Sequence, residues 1–143
     1  MELVPRITKA QNMDALSSQS NLVGYRAVIE ASYHYTKAFP MMMTAAGTVS
    51  PCKTLILGIG VAGLQAIATA KRLGSVVAGY DVRSATKEQV ESLGAKFVSP
   101  ELQEDLQDKS GYAGESSESY KVKQEEFLAK IIKNYDIVMC AKN

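Results

Sequence analysis

The sequence is poor in the residues that most metal and nucleophile chemistry requires. It contains one histidine, His34, and two cysteines, Cys52 and Cys140. No Cys-x-x-Cys or Cys/His spacing occurs, so no metal-ligand set can be assembled and none is expected. A single histidine in mid-helix leaves no Ser/His/Asp or Cys/His arrangement for nucleophilic catalysis, and His34 reads as a packing or surface residue. Both cysteines lie beside or inside apolar runs and read as buried free thiols, which suits a reducing compartment. The formal net charge is +1, and no Lys/Arg cluster is interleaved with aromatics. No broad field therefore draws in nucleic acid or an anionic bilayer. No apolar run reaches the roughly 18 residues of a membrane span. The opening MELVPRITK lacks the apolar core of a signal peptide. The chain is expected to be soluble, without a targeting signal, a nucleic-acid partner or direct insertion into a membrane.

What is present is a sizeable core. The chain has 143 residues, 46% of them hydrophobic, which is about one domain. Residues 1–16 read as an extended lead-in. From Ser17, the apolar positions Leu22, Tyr25 (or Arg26), Ile29 and Tyr33 recur at helical spacing and indicate an amphipathic helix that ends before Pro40. MMMTAAGTVSP reads as a loop. A strand is expected over Thr54 to Gly58 and a helix from about Val61 to Leu73, stopped by Gly74. A second strand follows over Ser75 to Asp81. Ala85 to Leu93 reads as a helix with Ser84 as N-cap and Gly94 as the stop. Lys96 to Ser99 forms a third strand, the acidic stretch from Glu101 to Ser119 a long loop, Tyr120 to Lys133 a last helix, and Asp136 to Ala141 a fourth strand. Alternating strands and helices build a parallel sheet through βαβ crossovers. The apolar runs TLIL and DIVMCA suit strands covered on both faces. The fold class is α/β: a Rossmann-like doubly wound parallel sheet of about four strands, preceded by a long helix. Residues 1–50 divide off as lead-in and connecting helix, and residues 51–143 as the Rossmann domain.

The junction between the first strand and its helix carries G-x-G-x-x-G as Gly58, Gly60 and Gly63. A strand precedes it, a helix opens inside it, and the next strand ends in Asp81. The interval from Gly58 to Asp81 is 81 − 58 = 23 residues, close to the roughly 20 of the dinucleotide fingerprint. Gly58 permits the tight turn, Gly60 lets a pyrophosphate approach the backbone, and Gly63 lets helix and strand pack closely. The helix N-terminus presents N–H groups to the phosphates. Asp81 can accept ribose hydroxyls and repel a 2′-phosphate, which favours NAD over NADP. Arg83 can either take a phosphate or stand as a solvated surface charge.

Upstream, PRITKAQNMDALSSQSNLVGYRAV gathers one arginine, amides and an aspartate ahead of a helix. Such groups can hold a carboxamide; they also suit a polar loop capped by Asp14 or Ser17. This stretch, together with TAAGTVSP, GIGVAGLQAIATAKRLGSVV, YDVR and KEQVESLGAKFV, resembles the NAD(H)-binding domain of proton-translocating nicotinamide nucleotide transhydrogenase, in the alanine dehydrogenase/transhydrogenase family. The resemblance covers nearly the whole chain. It implies that Arg6, Gln11 and Asp14, with Ser17, face the nicotinamide end of NAD(H). It likewise implies that Gly58, Gly60, Val61, Ala62 and Gly63 form the pyrophosphate turn, and that Asp81, with Val82 and Arg83, lies at the adenosine ribose. SGYAG resembles the family's mobile loop, with Tyr112 closing over the nucleotide. The implied reaction is direct hydride transfer between NADH and NADP⁺, which needs two nicotinamides in contact and no general base.

In the family, NADP(H) binds through a separate domain, and membrane helices couple the reaction to proton movement. Neither segment is seen in this sequence. The chain is therefore expected to be an incomplete piece, inactive alone, of an enzyme dimeric in this domain. Its expected place is the soluble face of a bacterial or organellar inner-membrane complex. Two other readings stay open: a stand-alone NAD-binding regulatory module, and an alanine-dehydrogenase-like oxidoreductase.

Overall fold

The structure, a computed structural model, describes residue 10, residues 13–100 and residues 118–141. Helix α1 covers Ala15–His34 and is followed by a short antiparallel hairpin, β1 (Met42–Thr44) and β2 (Gly47–Val49). The alternating α/β unit then runs β3 (Lys53–Leu57), α2 (Val61–Arg72), β4 (Val76–Tyr80), α3 (Thr86–Ser92), β5 (Lys96–Phe97), α4 (Glu118–Ile132) and β6 (Ile137–Cys140).

The four strands β3 to β6 form one parallel sheet in the order β5-β4-β3-β6. The doubly wound α/β expectation is borne out. β3 is central because its sequence can be buried on both sides: Thr54, Leu55 and Ile56 are fully buried. The hydroxyl of Thr54 is matched by Ser75 Oγ at 2.7 Å, and Ser75 Oγ also donates to the Cys52 carbonyl at 2.8 Å. From β3 the chain steps outward to β4 and β5, then returns to place β6 on the other side of β3. The strand order therefore reverses between β3 and β6. In open α/β sheets the crevice at the carboxyl end of such a reversal is where ligands bind.

α2 packs on the sheet through Ala66, Ile67 and Ala70, which share a core with Ile56, Ile59, Val77 and Val90. Gly74 and Gly94 stop α2 and α3 with φ of +89° and +75°, the left-handed geometry that glycine supplies at helix ends.

Four local expectations need correction. α1 does not bury the stripe that its sequence suggests: Leu22, Tyr25 and Tyr33 are exposed, and the buried residues are Gly24 and Val28. Periodicity passes over a glycine, whereas here the glycine is the contact. A Cβ on Gly24 would collide with the Ala62 carbonyl oxygen and lie 2.9 Å from its carbon, so the two helices cross where α1 has no side chain. The 41–51 stretch is not a plain loop; its three-residue strands are wholly exposed and carry no alternation that a sequence reading can find. Cys52 is buried but Cys140 is exposed, because Ile137 and Met139 take the face of β6 that packs on the core while Val138 and Cys140 take the opposite face. DIVMCA is thus not covered on both faces among the described residues. Finally, α3 takes Ala85 as its N-cap, without a side-chain cap bond, while Thr86 Oγ1 donates to the Arg83 carbonyl at 2.8 Å.

Helix propensity alone says that Gly24→Ala should stabilise α1 by about 1 kcal/mol. The α1–α2 crossing predicts the opposite sign. Urea unfolding should show a loss of about 1–3 kcal/mol, the scale of an overpacked core; a gain would show that the two helices do not meet at Gly24.

Candidate functional site

The site is built at the carboxyl ends of β3 and β4. Gly58 N–H still donates to the Tyr80 carbonyl at 2.9 Å, extending the ladder by one residue. Gly58 then takes φ of +91°, which turns the chain sharply off the strand. A Cβ on Gly63 would collide with the Gly58 carbonyl oxygen, so the first turn of α2 lies directly on the strand end. Gly60 is the N-cap of α2, with φ −93° and ψ −163°, and no side chain caps the helix there. Around a Cβ on Gly60 nothing lies within 4 Å. The three glycines thus differ: Gly58 turns the chain, Gly63 permits packing, and Gly60 faces open space. Behind Gly60 the first helical bond is Leu64 N–H to the Gly60 carbonyl at 2.9 Å, so the amides of Val61, Ala62 and Gly63 precede the intrahelical ladder. This uncapped helix start, with room in front of it, is a cradle for an anion. Val61 is exposed, Ala62 half-buried and Gly63 buried.

Asp81, one residue past β4, is 6% exposed and is held by four donors. Ile59 N–H reaches Oδ2 at 2.6 Å, and Arg83 N–H reaches Oδ1 at 2.9 Å. The Arg83 guanidinium adds Nε to Oδ1 at 3.0 Å and Nη2 to Oδ2 at 3.0 Å. Arg83 Nη2 also donates to the Ile59 carbonyl at 2.9 Å. Burial alone would raise the Asp81 carboxyl. The Arg83 side chain and the two backbone amides outweigh that cost and hold it below the ordinary value. Arg83 is therefore not a solvated surface charge: its side chain is 19% exposed and clamps the acidic residue to the glycine turn. Ile59, which lies inside the motif at an x position, packs its side chain in the core and gives the clamp only backbone groups, which leave no side-chain signature. Val82 packs in a small cluster with Tyr80, Leu57, Phe127 and Leu128.

At the start of α1, Asp14 is the N-cap. It accepts Ser17 N–H at 3.0 Å and Ser17 Oγ at 2.5 Å. The structure brings Asp14 and Ser17 together as a helix cap. Arg6, Gln11 and Tyr112 lie outside the described residues. Burial pushes the Cys52 thiol up, which suits a structural thiol. His34 is exposed and faces Glu30 at 3.9 Å. Among the described residues no group of three His, Cys, Asp or Glu could hold a metal ion, and no helix is long and apolar enough to cross a membrane.

A reversed strand order, a three-glycine turn and an acid at the next strand end are the features of a dinucleotide-binding Rossmann unit. Comparison with known proteins agrees: residues 27–143 match the model of the alanine dehydrogenase/PNT C-terminal domain. The chain belongs to the alanine dehydrogenase/PNT family. It is 86% identical over 139 residues to the first part of the NAD(P) transhydrogenase alpha subunit of Rickettsia prowazekii, covering 97% of this chain and 36% of that protein. With the same subunit of Rhodospirillum rubrum the identity is 59% over 141 residues, covering 97% of this chain and 37% of the relative. The solved transhydrogenase of Sinorhizobium meliloti superposes with a TM-score of 0.80 at 55% identity, over 98% of this chain and 36% of that one. This member of the family therefore spans little more than a third of the length of those relatives.

The charge state of Asp81 makes a prediction about stability. Its carboxyl titrates lower in the fold than the ordinary 3.8, so its contribution is complete well above that value and is lost as pH falls through it. Unfolding free energy should drop more steeply for the wild type than for Asp81→Asn between about pH 5 and pH 3. Parallel slopes would show that the clamp does not favour the ionised form.

Proposed function

We propose that this chain binds NAD(H) at the carboxyl end of the β3–β6 reversal, and that it serves there as the NAD(H)-binding part of a proton-translocating NAD(P) transhydrogenase. The observation that carries the reading is the open front of Gly60 beside a clamped Asp81. The uncapped amides of Val61, Ala62 and Gly63 would hold the pyrophosphate. Asp81 would accept the adenosine ribose hydroxyls and, as a fixed anion, disfavour a 2′-phosphate. Arg6, Gln11 and Asp14, with Ser17, are assigned to the nicotinamide end by their likeness to the family's motif, and Tyr112 to the loop over the nucleotide.

The bound nucleotide supplies the hydride: NADH and NADP⁺ become NAD⁺ and NADPH, with no proton exchanged with the protein. What the chain must supply is alignment. NADP(H) would be held by a separate domain of the same enzyme, with a membrane domain coupling the transfer to proton movement. A homodimer at the soluble face of an inner-membrane complex completes the assignment.

Gly60 gives a clean test of binding, because a Cβ there meets no described atom within 4 Å and its φ suits any residue. Gly60→Val should lower the unfolding midpoint only by the loss of a favoured N-cap residue and weaken NADH by more than ~tenfold, that is by over about 1.4 kcal/mol. In the same titration the unmodified chain should prefer NADH to NADPH, and Asp81→Ala should narrow the gap. Tighter binding of NADPH, or NADH binding indifferent to Gly60→Val, would overturn the assignment.

Positioning is tested separately, in the longer enzyme that contains this chain and an NADP(H) site. Asp14→Ala should slow hydride transfer more than it weakens NADH binding, since a nicotinamide free to swing is still bound but rarely aligned. Losses of equal size would place Asp14 in ordinary binding or in helix capping.

A further inference from the structure

Most arginines beside a nucleotide site are assigned to phosphates. Arg83 is engaged otherwise. Its side chain is 19% exposed, and the guanidinium lies along Asp81 with Nε on Oδ1 and Nη2 on Oδ2. This fork-on-fork geometry is one that a lysine cannot reproduce. The same Nη2 is shared with the Ile59 carbonyl at 2.9 Å, and Ile59 N–H returns a bond to Asp81 Oδ2 at 2.6 Å. A closed loop of hydrogen bonds therefore joins the end of β4 to the middle of the glycine motif.

We propose that Arg83 is a positioning residue of the nucleotide site, which holds Asp81 aligned as the ribose acceptor and fastens it to the pyrophosphate turn through the Ile59 carbonyl. The proposal rests on the NAD(H) reading above. A carboxylate offers about four acceptor directions, and Asp81 receives Ile59 N–H, Arg83 N–H, Nε and Nη2. A ribose hydroxyl arriving at Asp81 must take one of them. Nη2 is the donor that can yield, because it already rests on a second acceptor. The arginine then stays in place on Nε and on Ile59 while Oδ2 turns to the ligand. The phosphate-facing turn and the ribose acceptor move as one body. The charged groups around Asp81 are few: among the described residues Arg83 supplies the one charge that acts on it, from the β4–α3 turn, and the β3–α2 turn presents only the backbone of Ile59.

The test uses the 143-residue chain as wild type, Arg83→Gln and Arg83→Lys, with NADH affinity measured against pH and the Asp81 carboxyl followed by carbon NMR without nucleotide. Arg83→Gln should move the acid limb of NADH binding and the Asp81 titration upward together. At neutral pH it should weaken NADH by about tenfold, the scale of one hydrogen bond to a charged group. Arg83→Lys should keep the limb low, since the charge remains, yet leave the neutral-pH affinity reduced, since a single ammonium cannot span both acceptors. An Asp81 titration and NADH affinity unchanged in Arg83→Gln would overturn the proposal. So would a loss confined to NADPH, which would make Arg83 a phosphate ligand. If the wild type binds no NADH, the nucleotide reading fails by itself; the carboxyl titration still decides whether Arg83 sets the charge of Asp81.

Discussion

A carboxylate almost sealed from water must find its compensation within the protein, and at Asp81 that compensation defines the site. Stripping an ion of water costs several kcal/mol unless donors replace the lost hydration. Four N–H groups replace it here, and they come from only two residues, Ile59 and Arg83. One belongs to the turn after β3 and the other to the turn after β4. The requirement to solvate one charge thus fixes the distance between two loops that the sheet itself holds only at their roots. Breaking one partner leaves the rest of the shell under-satisfied, so the loops cannot separate piecemeal.

A second constraint is steric, and it works through missing side chains. α2 approaches β3 at Gly63 and is approached by α1 at Gly24; at both points a Cβ would run into a backbone carbonyl. Close backbone approach leaves no rotamers to rearrange, so the contacts are rigid in a way that leucine-on-leucine packing is not. The first turn of α2, whose amides face the open ground before Gly60, is consequently gripped from both sides. A helix N-terminus binds an anion well only if it does not have to be held still at the moment of binding, and this one is immobilised by the fold.

These two constraints explain what the sequence disclosed and what it withheld. The strand–helix alternation and the motif glycines were legible because each rests on a local rule: apolar runs of strand length, left-handed turns, a helix opening on glycine. Every strand of the parallel sheet fell where those rules put it. Gly24 is silent in the sequence for the opposite reason. A glycine has no hydrophobicity for a periodicity argument to register, and the stripe of Leu22, Tyr25 and Tyr33 drew the face of α1 to the wrong side. The hairpin at 42–49 escaped because strands of three exposed residues have no buried face to alternate with. The role of Arg83 is not legible in the sequence, since pairing with a residue two positions away and a carbonyl 24 positions back depends on the fold. The exposure of Cys140 is not legible because burial of an apolar run depends on what packs over each face of its strand, and among the described residues only the Ile137 and Met139 face of β6 meets the core.

The organisation of α1 carries the synthesis one step further. Its amino end is fixed by the Asp14–Ser17 cap, and ten residues later Gly24 sets it against Ala62, in the first turn of α2. At 1.5 Å per residue the helix carries this offset over about 15 Å. A single helix that is capped at one point and seated against the glycine turn at another holds those two points at a fixed spacing. The same interhelical contact that a bulkier residue at Gly24 would spread apart is therefore the one through which the cap and the glycine turn keep their spacing.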